Sequence, residues 1–300
     1  MDHIKPEIYH IRHQVTKLIR HFFDDRGYLE VTTPMLVRCP GIDPFIDAIP
    51  AGKGFYLASS PELHMKRLLG SGLKKIYQIT HAFRANESGD YHNCEFSILE
   101  WYEVGLHYEQ FMDLTESLIH TIDQEMMQLF GRAARFPIPF QRISVDTAFQ
   151  RYAHWCPSRE WNEDRFFFDL VEIVEPALKD IPALFLYDFP APLASLARLK
   201  SVNPALSERF ELYLHGIEIA NGFSELICAK EQRERFERDL SRRAALNKEV
   251  YPLDDYFLQM LEGGSLPDCA GIALGLDRLF MVLTGSCSIS EVMAFPQARL

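Results

Sequence analysis

Apolar residues recur at three- and four-residue steps from Ile8 through Ile11, Val15, Leu18 and Ile19 to Phe22, which predicts an amphipathic helix at the start of the chain. Gly27 ends it, and residues 28–34 read as a short strand stopped by Pro34. Residues 39–53, punctuated by proline and glycine, read as a loop or short hairpin. Pro61 opens a helix over 62–72, since proline is tolerated in a first turn. IYQITHAF (76–83) and EFSILEWYEV (95–104) read as strands, with the eleven polar residues 84–94 as the loop between them. A long helix follows, with Phe111, Leu114, Leu118, Ile119, Ile122, Met126 and Leu129 on one face.

From about Ala133 to Arg165 the pattern weakens to irregular connections and small helices. ALFLYDFP (183–190) reads as a strand ended by Pro190, and residues 211–226 as two strands about a His215-Gly216 turn. The charged stretch 229–247 reads as a solvated helix. IALGL (272–276) reads as a last strand, followed by a helix over 277–285. Strands joined by hairpins and long loops, without regular alternation with helices, predict an α+β fold: an antiparallel sheet flanked by helices. A doubly wound α/β sheet fits this order less well.

Composition narrows the picture. At 47% hydrophobic and 24% charged, the 300 residues suit a soluble enzyme with a sizeable core. No apolar run approaches the roughly 20 residues needed to cross a bilayer, so no membrane association is expected. The N-terminal stretch lacks a signal-peptide pattern, which points to the cytoplasm. The six cysteines show no zinc or CxxC spacing and read as reduced thiols. A formal net charge of −11 disfavours broad polyanion binding.

Candidate chemistry gathers in the paired strands. About a His215-Gly216 turn, Tyr213 faces Glu218, and Glu211 shares the face of Tyr213. Two such carboxylates suit a hard cation such as Mg²⁺, which is commonly shared with nucleotide phosphates. Taken alone, the pair reads as two solvated acids. Asn221 and Glu225, crowded among apolar residues, shift the balance to a site. In the strand 95–104, Glu100 falls in the row of Phe96, Ile98 and Tyr102, where an unpaired charge would be costly. A bound ammonium group or a structural salt bridge would satisfy it equally well. Arg84, at a strand end, and Arg278, at a helix start, are candidate phosphate clamps or ordinary surface arginines. Walker, GxGxxG, GxSxG and HExxH patterns are absent.

With these residues in view, GYLEVTTP (27–34) resembles motif 1 of the class II aminoacyl-tRNA synthetases, FRANE…EF (83–96) motif 2 and GIALGLDRL (271–279) motif 3. SPELHMKRLL, YHNCEFSILEWY and GIEIANGFSEL resemble the lysyl branch. Within that branch the chain resembles truncated paralogues that ligate (R)-β-lysine to elongation factor P. The resemblance covers nearly all 300 residues and implies one catalytic domain over 1–300, with motifs at about 15–34, 76–104 and 271–284. It implies ATP and Mg²⁺ as cofactors and a homodimer formed through the motif 1 helix. An anticodon-binding domain is not expected, because motif 1 begins so early, nor is stable tRNA binding.

The resemblance also implies roles. Arg84 holds the α-phosphate, His92 lies near the outer phosphates, and Phe96 and Arg278 sandwich the adenine, with Arg278 also reaching the γ-phosphate. Glu211 and Glu218 bind the metal. Ser60 and Glu62 meet the amino group near the carboxylate, Glu100, Tyr102 and Glu225 surround the distal ammonium, and Asn221 orients the carboxylate. Ala273 stands where tRNA-charging lysyl enzymes carry glycine, which favours β-lysine over α-lysine. Two departures stand out. The Arg-x-Glu of motif 2 reads Arg84-Ala85-Asn86 with Glu87 one place later, and Cys94 replaces a usual proline. Asn86 can accept from the adenine amino group but brings no charge. The competing expectations are a stand-alone enzyme activating α-lysine for tRNA or a small molecule, and a non-catalytic amino-acid-binding regulator.

Overall fold

The computed structural model describes residues 6–131 and 135–299; Ala133, where the weak region was expected to begin, lies outside them. Helix α1 (Pro6–Asp24) buries Ile8, Ile11, Val15, Ile19 and Phe22 as their spacing predicts. Gly27, at φ +72, closes the turn behind it. Strand β1 (Leu29–Glu30) is shorter than expected. Strands β2 (Leu36–Val37), β3 (Pro50–Gly52) and β4 (Phe55–Leu57) make a small sheet in the order β2-β4-β3, and α2 (Glu62–Gly70) follows Pro61. Strands β5 (Lys75–Phe83) and β6 (Glu95–Val104) flank the loop 84–94 where it was expected, and α3 (Tyr108–Phe130) follows.

The weak region holds more than small helices. It contains β7 (Gln141–Ser144), α4 (Val145–Tyr152), α5 (Glu163–Asp169), a π-helical turn (Leu170–Val174) and α6 (Glu175–Leu178). Only Ile143 of β7 is buried, so the strand has no alternation to betray it. The chain continues through β8 (Ala183–Pro190), β9 (Leu199–Lys200), β10 (Asn203–Leu214), β11 (Ile217–Ser224), α7 (Ala229–Ala245), α8 (Asp255–Glu262), β12 (Cys269–Gly275) and α9 (Leu276–Thr284).

The main sheet runs β1-β5-β6-β12-β11-β10-β8-β7, with β9 paired to β10. Its centre is antiparallel, but β1 is parallel to β5 and β7 to β8, so the sheet is mixed rather than wholly antiparallel. Parallel neighbours need long crossovers. The small sheet and α2 supply one, and α4 to α6 supply the other. Among the described residues these are the only sheets, and neither is a closed barrel of the anticodon-binding kind.

The two faces of the sheet differ. Leu99 and Trp101 of β6, Leu212 and Leu214 of β10, and Ile272 and Leu274 of β12 join the core with α1, α3 and α9. The opposite face carries α2, α7 and α8 around a second core. There β12 presents Gly271 and Ala273, and small residues on a central strand leave room above it. Helix α7 is not merely solvated. It buries Gln232, Arg235, Phe236 and Arg243, and the Arg243 guanidinium donates to the carbonyls of Asp43, Ile46 and Glu249 and to Asp47.

Candidate active site

One transverse row of register partners crosses five strands on the open face: Gln78, Glu100, Ala273, Asn221 and Glu211. Directly opposed side chains on one face are the closest cross-strand neighbours. The row therefore joins residues that are up to 195 positions apart in sequence. Two cavities of about 250 and 290 Å³ open above it and meet along Ile46, Arg84, Ile98, Asn221 and Ala273. Ser60, Glu62, Glu100 and Arg209 line the first; Glu87, His92, Phe96, Glu218 and Arg278 line the second.

The first cavity ends in an acid cluster. Ser60 Oγ donates to Glu100 Oε1 at 2.5 Å, and the Tyr102 hydroxyl donates to Oε2 at 2.9 Å. Behind them Lys66, 1% exposed, places Nζ 2.6 Å from Glu62 Oε1 and 2.5 Å from Glu225 Oε2. Among the described residues Glu225 Oε1 has no hydrogen-bond partner. Gly271 makes the cluster possible, because a Cβ there would lie 2.2 Å from Tyr102 Cε1 and 2.8 Å from Glu225 Oε1. Three carboxylates face one ammonium. Burial foremost, with Glu62 adding, pushes Glu100 up to about 7. Burial pushes Glu225 up to about 8 against the pull of Lys66. Burial alone would lower Lys66, yet Glu225 and Glu62 hold it above its ordinary value, so it stays charged. Once ionised, these carboxylates outnumber Lys66, a charge balance that would favour a second cation beside them.

In the second cavity, Arg278 Nη1 donates to the Glu218 carbonyl at 2.9 Å and Nε to the Tyr91 carbonyl at 3.2 Å. Its Nη2 lies 2.7 Å from His92 Nε2. A guanidinium only donates, so His92 Nε2 accepts. Burial first and the Arg278 charge second lower the His92 pKa, consistent with a neutral ring. Asp277 anchors this helix start: Oδ1 accepts from Arg12 at 2.6 Å and Oδ2 from the Ser97 amide at 2.6 Å. Phe96 and Arg278 both line this cavity. The Arg84 guanidinium lies 5.0 Å from the Phe96 ring centre, while Arg278 is held by the contacts above. Asn86 is exposed at φ 62 and lines neither cavity; Glu87, the next residue, does. The left-handed turn, which asparagine tolerates, carries the chain one residue further before a carboxylate faces inward.

Glu211 and Glu218 share a face through Tyr213, as counting from the turn predicts, but the pairing beyond Tyr213 is shifted. Tyr213 faces Glu218 as expected, but Leu212 faces Ala220 and Glu211 faces Asn221. Ile219 is an extra residue, a β-bulge that brings Glu218 and Asn221, three positions apart, to the same side. Arg209 donates to Glu211 Oε1 at 2.7 Å and to Asn221 Oδ1 at 3.2 Å, and Tyr213 donates to Glu211 Oε2 at 2.9 Å. Burial, then Glu218, pushes Glu211 up to about 7. Among the described residues no three His, Cys, Asp or Glu side chains form a metal cage. Carboxylate oxygens have two lone pairs each, so Glu211 keeps acceptor capacity beside the more exposed Glu218. Two hard oxygen donors beside a cavity that carries Arg84 and Arg278 fit Mg²⁺ that would complete its shell with phosphates and water.

Lys66, Gln78, Arg209 and Tyr213 were not anticipated as parts of the site. Arg209 was within reach of the alternation already traced through Glu211 and Tyr213. Lys66 stands four residues after Glu62 on a helix, a spacing that pairs charges.

The family model for tRNA synthetases class II (D, K and N) matches residues 4–299. The chain is 39% identical to an elongation factor P–(R)-β-lysine ligase of Proteus mirabilis, over 95% of this chain and 94% of that protein. It is 40% identical to the ligase of that name from Pectobacterium carotovorum, over 96% and 94%. For the Vibrio cholerae ligase the identity is 35%, over 96% and 94%.

Proposed function

The chain belongs to the class II tRNA synthetases (D, K and N), and from that premise we propose that it is an ATP-dependent ligase acting on elongation factor P. It activates (R)-β-lysine as an aminoacyl-adenylate and passes the acyl group to a lysine ε-amino group of that protein. The observation that carries this reading is the junction at Arg84, Asn221 and Ala273, where an acid-ended cavity meets one lined by Arg84, His92 and Arg278. Residues 1–300 act as one catalytic domain.

In the first half-reaction a carboxylate oxygen of β-lysine attacks the α-phosphorus of ATP, and the bond to the β-phosphate bridging oxygen breaks to release pyrophosphate. Arg84 holds the α-phosphate and offsets charge as it develops. Asn221 orients the attacking carboxylate, supported by Arg209. Glu62 and Ser60 receive the amino group near it, and Glu100, Tyr102 and Glu225 the distal ammonium. Arg278 and His92 hold the outer phosphates, and Phe96 and Arg278 close on the adenine, with Glu87 and Asn86 in the adjoining loop. Glu211 and Glu218 hold Mg²⁺, which when bound neutralises phosphate charge. In the second half-reaction the acceptor nitrogen attacks the acyl carbon, AMP leaves and the amine gives up its proton. Catalysis comes from positioning and electrostatics, without a covalent enzyme intermediate. The enzyme works as a homodimer through the motif 1 helix; the chain after that helix exposes Leu29, Met35 and Leu36.

Labelled (R)-β-lysine incubated with enzyme, ATP and elongation factor P is expected to label a lysine of that protein. Label accumulating on tRNA, or nowhere, would contradict the reading.

A further inference from the structure

An apolar ridge stands at the rim of the two cavities. Phe167, Phe168 and Val171, on α5 and the π-helical turn after it, are 40%, 65% and 55% exposed. Phe45, 55% exposed, sets its ring edge-on to Phe167 with centres 6.4 Å apart. Its neighbour Ile46 lines both cavities, so the ridge runs from the cavity mouth outwards. Contiguous exposed aromatic side chains of this kind mark interaction sites. The chemistry derived above uses none of the four.

The ridge is firmly founded. Phe166 stacks on Phe149 at 4.7 Å beneath it, and Arg242 lies 4.7 Å over the Phe45 ring while pairing with Glu163 at 2.8 Å. The same run of chain ends at Glu175, whose Oε1 lies 3.0 Å from the Tyr213 hydroxyl, itself 2.9 Å from Glu211 Oε2. The ridge is thus tied to the site, and π-helical turns are found mostly where function requires them.

Its charge is one-sided. Between Arg159 and Asp180 seven carboxylates accompany three basic residues. Asp164 and Glu172, both exposed beside the ridge, are in no ion pair among the described residues. A surface of aromatic groups among surplus carboxylates complements apolar and basic side chains.

We propose that this ridge is the docking surface for the protein acceptor, which rests apolar and basic side chains on it while its nucleophilic lysine enters the cavity mouth. The inference depends on the ligase reading above. The acceptor amine must reach the junction at Arg84 and Ala273 while the body of its protein stays outside. The ridge meets that body at the rim.

Two variants test it: Phe168→Ser with Val171→Ser, and Asp164→Lys with Glu172→Lys. Each is assayed for (R)-β-lysine-dependent pyrophosphate exchange, for transfer to elongation factor P, and for mass in solution. The proposal expects exchange to be retained in both and the KM for elongation factor P to rise about tenfold or more, as for central interface residues. The charge variant should also lose the salt dependence of that KM. An unchanged KM in both variants would overturn the proposal. So would an unchanged KM with loss of a dimer, which would assign the ridge to a second copy of this chain. Absence of exchange in the unaltered protein would instead defeat the ligase reading, and the docking inference with it.

Discussion

Ala273 sits in the middle of the transverse row, so its one methyl group faces the junction of both cavities. A change of one carbon in a pocket alters discrimination by about 10–200-fold. Ala273→Gly is expected to reduce the preference for (R)-β-lysine over α-lysine by about tenfold in pyrophosphate exchange. An unaltered preference would remove this methyl group from the account of specificity. Glu100 and Glu225 carry a second residue-level consequence. Burial raises them to about 7 and about 8, and the ammonium substrate needs them ionised. The KM for the amino acid should therefore fall about a hundredfold or more from pH 6 to pH 8, since the ionisation of each carboxylate changes about tenfold per unit below its pKa. In the ligand-free protein the sign for stability is opposite. The folded state binds more protons than the unfolded one above the ordinary carboxylate value of 4.5, so these groups weaken the fold as pH rises towards 8. Bound β-lysine should restore the loss. Thermal unfolding at pH 5.5 and pH 8.5, with and without the amino acid, checks both signs; a ligand effect independent of pH would contradict them.

At the scale of elements, β5, β6 and the loop between them were legible because apolar runs broke cleanly into a polar stretch. The His215-Gly216 turn was legible too, and with it the pairing of Tyr213 with Glu218. The bulge at Ile219 was not, because counting by twos has no place for an inserted residue. Helix α7 misled through its composition: its buried arginines look solvated in sequence, and their partners are distant carbonyls. Arg243 ties the loop 43–47 beside the cavities to α7. Arg243→Met should cost about 3 kcal/mol of stability by leaving buried acceptors unpaired. It should also raise the KM for both ATP and the amino acid, because Ile46 borders both cavities. Chemical denaturation and steady-state kinetics measure the two effects, and a loop left in place would show neither.

At the scale of the molecule, strands joined by hairpins and long loops were enough to anticipate an α+β fold, and the three motifs the ends of the site. What joins those ends is the strand order, and no local pattern predicts that β12 lies between β6 and β11. Only that order brings Glu100, Ala273, Asn221 and Glu211 into one row. The parallel edge strands and Lys66 within the acid cluster likewise depend on long-range packing. The resulting assembly has one acid-ended cavity, one cavity lined by Arg278 and His92, and Arg84 where they meet, an arrangement that suits the proposed joining of a diamino acid to ATP. Amino-acid-dependent ATP–pyrophosphate exchange tests that claim most directly, with (R)-β-lysine, (S)-β-lysine and α-lysine compared in parallel. The account predicts strong exchange with (R)-β-lysine and weak exchange with the other two. Preference for α-lysine, or no exchange with any of the three, would contradict it.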